Sequence, residues 1–211
     1  TDTNADNMPD AGSSPDGGSG LDFLFPLDLT MPPSAYRPAA VTNLFYWNNI
    51  IHDIMYIYGF TEASFNFQDD NLGRGGAGND HVNAEAQDGG GTNNANFSTP
   101  ADGGSGRMQM YLWTGGTPNR DGDVDNGIII HEYGHGISNR LTGGGSGGCL
   151  GNAEQMGEGW SDFFALATTV QPGDTGEKAR GIGTYVLREP STDIGLRYIP
   201  YSTDLAINDN D

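Results

Sequence analysis

Apolar residues follow a helical period in three stretches of the chain and alternate with polar ones in others. Over 41–58, Leu44, Trp47, Ile51, Ile54, Met55 and Tyr58 recur at three- and four-residue steps, which predicts an amphipathic helix. Thr42 is placed to cap its start, and Gly59 to end it in a left-handed conformation. A second helix is predicted over 126–141, stopped by the glycine-rich run at 143–148. A third is predicted over 153–170, with Asn152 as its cap and Gln155 completing a capping box. Over 107–113, Met108, Met110 and Leu112 alternate with Gln109, Tyr111 and Trp113, the pattern of a half-buried strand. Short strands are expected at 81–86 and 94–98, and a helical turn or strand at 183–188.

Other stretches lack such a period. Residues 1–20 form an acidic, glycine-rich segment without apolar periodicity. Residues 21–38 alternate briefly but are broken by Pro26, Pro32, Pro33 and Pro38, so extended or edge structure is expected there. The chain thus divides into three parts: 1–20; a mixed α/β lobe over 21–142 that ends in the second helix; and 143–211, which holds a glycine-rich loop, the third helix and the start of a further lobe. The expected fold class is α+β.

Composition narrows the function. The net charge is −19, with 28 acidic against 9 basic side chains, and Lys178 is the one lysine. Nothing here neutralises a run of phosphates or clings to an anionic membrane, so neither nucleic acid nor membrane is an expected partner. No apolar run approaches the ~20 residues of a membrane helix. Glycine makes up 34 of 211 residues, so long loops are expected. One cysteine, Cys149, excludes an internal disulfide framework and is expected to be a small buried apolar residue.

The chemistry centres on His131-Glu132-Tyr133-Gly134-His135. On a helix, residues four apart share a face, so both imidazoles point the same way and suit one zinc ion. Glu132 lies about 100° round the helix, close to the metal without being forced onto it, and is placed to take a proton from metal-activated water. Gly134 and Gly136 each cost a helix about 1 kcal/mol relative to Ala, so close approach of another segment is expected at both. Catalytic zinc usually has a third protein ligand. Ser138 and Leu141 stand where a metzincin would place Gly and His, which excludes that arrangement. Glu158 on the third helix is the candidate, with Asp162 one turn further on to accept the second N–H of a ligating imidazole.

The segments HEYGHGISNRLTGG and GEGWSDFFA resemble the fungalysin family of secreted zinc metallopeptidases, related to thermolysin. So do FYWNNIIHDIMYIYGF at 45–60, residues 78–103 and RMQMYLW at 107–113. The resemblance spans roughly residues 21–207. It implies a two-lobed endopeptidase with its cleft between the lobes, zinc held by His131, His135 and Glu158, and Glu132 as general base. It also implies secretion as a precursor whose propeptide is removed, and protein or peptide substrates. Asn94 and Ala95 look like the motif on an edge strand along which such enzymes bind substrate backbone. The family places a further His, which steadies the oxyanion, well after the third ligand. The histidines here are His52, His81, His131 and His135, and none follows Glu158. The helical C-terminal lobe is therefore expected to be only partly present, with the remainder supplied as a separate chain of the same precursor or lost by truncation. His52 and His81 are expected to be structural.

Two acidic clusters are candidate calcium sites. Asp2, Asn4, Asp6 and Asp10 have the alternating oxygen spacing of a calcium loop, and Asp121, Asp123 and Asp125 repeat it before the second helix. Two other functions stay open. One is a non-enzymatic calcium-binding extracellular module with an incomplete zinc site, though a structural site has no need of Glu132. The other is a zinc aminopeptidase, although residues 136–157, 22 in all, make a longer separation than those enzymes usually show.

Overall fold

Pro38 stands inside the first turn of the first long helix rather than before it. A proline there loses no hydrogen bond, because the first N–H groups of a helix have no partner within it. In the computed structural model, which describes residues 1–209, helix α1 therefore runs Arg37–Ile57, four residues earlier than the apolar period suggested. Thr42 lies inside it and caps nothing. Ala40, Leu44, Ile51 and Met55 are its buried face, while Trp47 and Ile54 pack at the edge of the core. Gly59 has φ +103°, a conformation that favours glycine and turns the chain out of the helix.

The strands are short: β1 Asn83–Glu85, β2 Ala95–Ser98, β3 Arg107–Met110, β4 Leu112–Trp113 and β5 Arg120–Asp121. β3 is central in a three-stranded sheet, parallel to β1 and antiparallel to β2. β4 and β5 form a separate antiparallel pair. The alternating run at 107–113 is thus two strands divided at Tyr111. It is not half-buried: Met108, Gln109, Met110, Tyr111 and Trp113 are all buried, because β3 is covered on both faces. Residues 21–35 join neither sheet, and Leu21, Phe23, Leu24, Leu27 and Leu29 are exposed.

Helix α2, Asn126–Gly143, runs through the centre. The Asp125 carboxylate accepts from Ile128 N at its start, and Gly144 closes it with φ +58°. Ile128, Ile129, Ile130 and Ile137 are each at most 3% exposed, as three consecutive isoleucines before His131 require. Helix α3 is Gly157–Thr168, four residues shorter at its start than expected. Asn152 and Gln155 do not cap it; their side-chain oxygens accept from Glu154 N and Gly157 N, which folds 152–157 into a turn ahead of the helix. A single helical turn, α4, covers Thr184–Leu187. Cys149 is exposed rather than buried, since the glycine-rich loop that carries it lies on the surface. The fold is a mixed helix-and-sheet one. Among the described residues no helix is long and apolar enough to cross a membrane. Residues 210 and 211, the end of the third part of the chain, lie outside the described residues.

Candidate metal centre

Two helices carry the site. His131 and His135 sit one turn apart on α2, their ring centroids 4.7 Å apart and their Nε2 atoms 3.1 Å apart. Glu158, in the first turn of α3, brings Oε2 to 3.2 Å from His131 Nε2 and Oε1 to 3.4 Å from His135 Nε2. One ligand atom from each of the three lies within 4.8 Å of the others. Two glycines on α2 allow close packing around the site, Gly134 against α3 and Gly136 against the Phe97 and Phe67 rings. A Cβ on Gly134 would stand 2.9 Å from Ser161 Cα, and one on Gly136 would stand 2.7 Å from the Phe97 ring.

Asp162, one turn beyond Glu158, is completely buried. Its Oδ1 accepts from His131 Nδ1 at 2.6 Å and from Arg197 Nη2 at 2.7 Å. Its Oδ2 accepts from Arg197 Nε at 2.5 Å and from the Tyr201 hydroxyl at 2.7 Å. Arg197 Nη2 also reaches Glu158 Oε2 at 3.3 Å. Neither Arg197 nor Tyr201 belongs to a periodic segment or motif. No local signal marks them, because their partners lie 35 to 39 residues away.

The titratable groups of the site shift in different directions. Burial alone would lower the His131 imidazolium, but hydrogen bonds to Asp162 and Glu158 outweigh it and hold the group up at about 9. His135 shifts down, through burial first and then the charge of His131. Glu158 is held low, chiefly by its hydrogen bond to His131. Asp162 is pushed up by burial yet ends at about 2, because His131, Arg197 and Tyr201 all donate to it. Glu132 is 6% exposed, and burial raises it to about 7.

The donor set suits a zinc ion. With the Nδ1 proton committed to Asp162, the Nε2 proton of His131 is the one that a metal ion would replace, leaving His131 Nε2, His135 Nε2 and the Glu158 carboxylate as three acceptors facing one point. Two imidazoles and one carboxylate, with room for a fourth group, form a usual catalytic zinc set.

His131, His135 and Glu158 open into a cleft of about 330 Å³, also lined by Glu132, Ile128, Ile182 and Leu196. Asn94, Ala95, Asn96 and Phe97 form another wall. β2 is an edge strand, paired with β3 on one side. His52 and His81 stand elsewhere, the first beside Asp53, Asn66 and Gln68, the second on Asp69.

Neither acidic cluster is gathered as its sequence spacing suggested. The Asp2 carboxylate accepts from Asp6 N and Asn7 N, and Asp6 from Asn4 Nδ2 and Met8 N. Asp10 is occupied by Thr1 and Thr3. These groups fold the N-terminal loop, and Asp2 converges instead with Glu85 and Asp88. Asp121 accepts from Asp123 N and Gln87 Nε2, Asp123 from Gln87 N, and Asp125 caps α2. The three do not converge as one ligand set among the described residues.

The whole chain, residues 1–211, matches the family model described as Fungalysin metallopeptidase (M36). An extracellular metalloproteinase MEP of Pyricularia oryzae is 53% identical over 180 residues, covering 84% of this chain and 28% of that protein. A probable extracellular metalloproteinase 4 of Arthroderma benhamiae is 50% identical over 190 residues, covering 88% of this chain and 29% of its own length. An extracellular metalloproteinase mep of Aspergillus fumigatus is 47% identical over 213 residues, covering 97% of this chain and 33% of its own length. The chain thus spans about a third, or somewhat less, of the length of these curated relatives. It belongs to the fungalysin family of metallopeptidases.

Proposed function

We propose that this chain carries the catalytic centre of an extracellular zinc endopeptidase that hydrolyses internal peptide bonds of proteins. The observation that carries the reading is the convergence of His131, His135 and Glu158 beside a buried Glu132 that lines the same cleft. His131, His135 and Glu158 hold zinc, and Asp162 orients His131. Zinc bound there supplies Lewis acidity, polarising the scissile carbonyl and making water easier to deprotonate.

Proton transfer belongs to Glu132. Its carboxylate takes the proton of the attacking water and hands it to the leaving amine. The low-dielectric surroundings of Glu132 keep its affinity for a proton close to neutrality, as a group that both accepts and returns one requires. The substrate lies extended along the free edge of β2, near Asn94 and Ala95, and pairs with it by strand addition. Ile128, Ile182 and Leu196 beside the three metal-site side chains support an apolar pocket for the residue after the scissile bond. Residues 21–142 then form one lobe and 143–211 begin the second, completed by polypeptide of the same precursor.

The test is elemental analysis of the dialysed chain, followed by incubation with an unstructured protein. One zinc per chain and new internal cleavages support the reading. Metal-free chain under zinc-replete conditions overturns it.

A further inference from the structure

We propose that Tyr201 is a positioning residue that sets how tightly the ligand set holds zinc, acting through Asp162. The inference rests on the zinc reading above and deepens it.

The Asp162 carboxylate has two oxygens with about four lone-pair sites. Four donor contacts fill them: His131 Nδ1 and Arg197 Nη2 on Oδ1, Arg197 Nε and the Tyr201 hydroxyl on Oδ2. A carboxylate so occupied, and shut off from solvent, cannot turn about its Cβ–Cγ bond without losing a contact that water cannot replace. The plane of that carboxylate fixes the direction of the His131 Nδ1–H bond, and hence where Nε2 points.

Tyr201 is held in place independently of Asp162. Its backbone exchanges both hydrogen bonds with Arg180, each 2.9 Å. The Arg180 guanidinium is in turn anchored on the C-terminal end of α3, at Leu166 O (2.7 Å) and Thr169 Oγ1 (2.6 Å). Further along the same strap, Leu196 N donates to Ile182 O at 2.8 Å. α3 thus carries Glu158 and Asp162 near its start and, through Arg180, the backbone that delivers the phenol. The hydroxyl reaches Asp162 from a fixed frame and restrains it.

Removing the hydroxyl leaves Arg197 as the sole donor to Oδ2. Asp162 can then rock on the guanidinium, His131 Nε2 loses its fixed aim, and the metal is held less tightly. Outer contacts of this kind typically change metal affinity by about 10- to 100-fold.

The experiment compares the full chain with Tyr201→Phe, which removes one oxygen and keeps the ring. Zinc affinity is read by competition with a chromophoric chelator, and the unfolding midpoint is read on the zinc-free chain. Expected is an affinity about tenfold weaker or more, with the zinc-free midpoint lowered only by the few degrees that one lost hydrogen bond costs. In an Asp162→Asn background, Tyr201→Phe is expected to weaken zinc no further. Equal zinc affinity in the single variant and the parent chain overturns the inference and leaves the zinc reading intact. So does a loss of the same size in both backgrounds, which would mark Tyr201 as packing alone. A parent chain that binds no zinc overturns both.

Discussion

Gly134 of α2 lies against Ser161 of α3 so closely that a Cβ on the glycine would stand 2.9 Å from the serine Cα and 2.9 Å from its Oγ. The contact is with backbone, which cannot swing aside as a side-chain tip can. Gly134 stands between His131 and His135 in sequence, and Ser161 precedes Asp162. The spacing of the two helices at this point therefore sets the distance from the imidazoles to Glu158 and Asp162.

Gly134→Ala follows from that contact. The substitution gains about 1 kcal/mol of helix propensity but forces α3 outward, and overpacking of this kind costs about 1–3 kcal/mol. We expect a net loss of stability together with weaker zinc retention after dialysis. Gly136→Ala makes a useful comparison, because its Cβ meets the ring edges of Phe97 and Phe67 instead of backbone. It is expected to disturb zinc less. Unchanged zinc content in Gly134→Ala would show that the helix spacing does not control the site.

Replacing the nitrogen ligands tests the metal set directly. His131→Ala and His135→Ala should each reduce zinc in dialysed protein from about one per chain to a small fraction, as expected when one of three protein ligands is lost. Asp162→Asn is expected to weaken zinc without removing it, because the amide presents only one acceptor oxygen to the four donor contacts now made. Full zinc content in both histidine variants would place the ion elsewhere.

Glu132→Gln separates binding from chemistry. The amide keeps the shape of the side chain and removes its ability to accept a proton. Zinc content should be unchanged, and the rate of peptide hydrolysis should fall by at least ~10². Comparable turnover by the zinc-loaded variant and the parent chain would assign the proton transfer to another group.

The helix that carries His131 and His135 was legible because its information is local. Four-residue spacing puts His131 and His135 on one face, and Ile128–Ile130 announce burial, both without reference to the rest of the chain. The beginnings of α1 and α3 were less legible. Pro38 reads as a breaker although the first turn tolerates it, and Asn152 and Gln155 suit a cap as well as the turn they make. The convergence of Asp2 with Glu85 and Asp88 was not legible at all, nor were the contacts of Arg197 and Tyr201 with Asp162. These pairs are joined by chain reversals that leave no trace in the local pattern. At 2–10 the same alternating carboxylates also accept backbone N–H groups in tight turns, a use that the spacing alone does not distinguish from a ligand loop.

Arg140, five residues beyond His135 on α2, is fully buried and organises the loops around the far end of the helix. Its Nη1 donates to Asp80 Oδ2 at 3.1 Å, to Asp102 Oδ1 at 3.3 Å and to Phe65 O at 3.1 Å. Its Nε donates to Pro100 O at 2.9 Å, and its Nη2 to Ala101 O at 3.2 Å and Gly104 O at 3.0 Å. The guanidinium also lies 4.4 Å from the centre of the Phe67 ring. One planar group thus ties residues 65, 80 and 100–104 to α2. Arg140→Met fills similar volume without the charge and leaves the buried Asp80 carboxylate with only the Gln68 and Gly103 backbone N–H groups, a loss of about 3–5 kcal/mol for a broken buried pair. In a chain of this size that corresponds to a fall of roughly 6–20 °C in the unfolding midpoint. Arg140→Lys restores the charge as a compact point that cannot reach six acceptors at once, so an intermediate loss is expected. Thermal unfolding of zinc-loaded protein decides the matter. A midpoint within about 2 °C of the parent for Arg140→Met would mean that the surrounding loops are held by their own backbone contacts, and that the buried arginine contributes little.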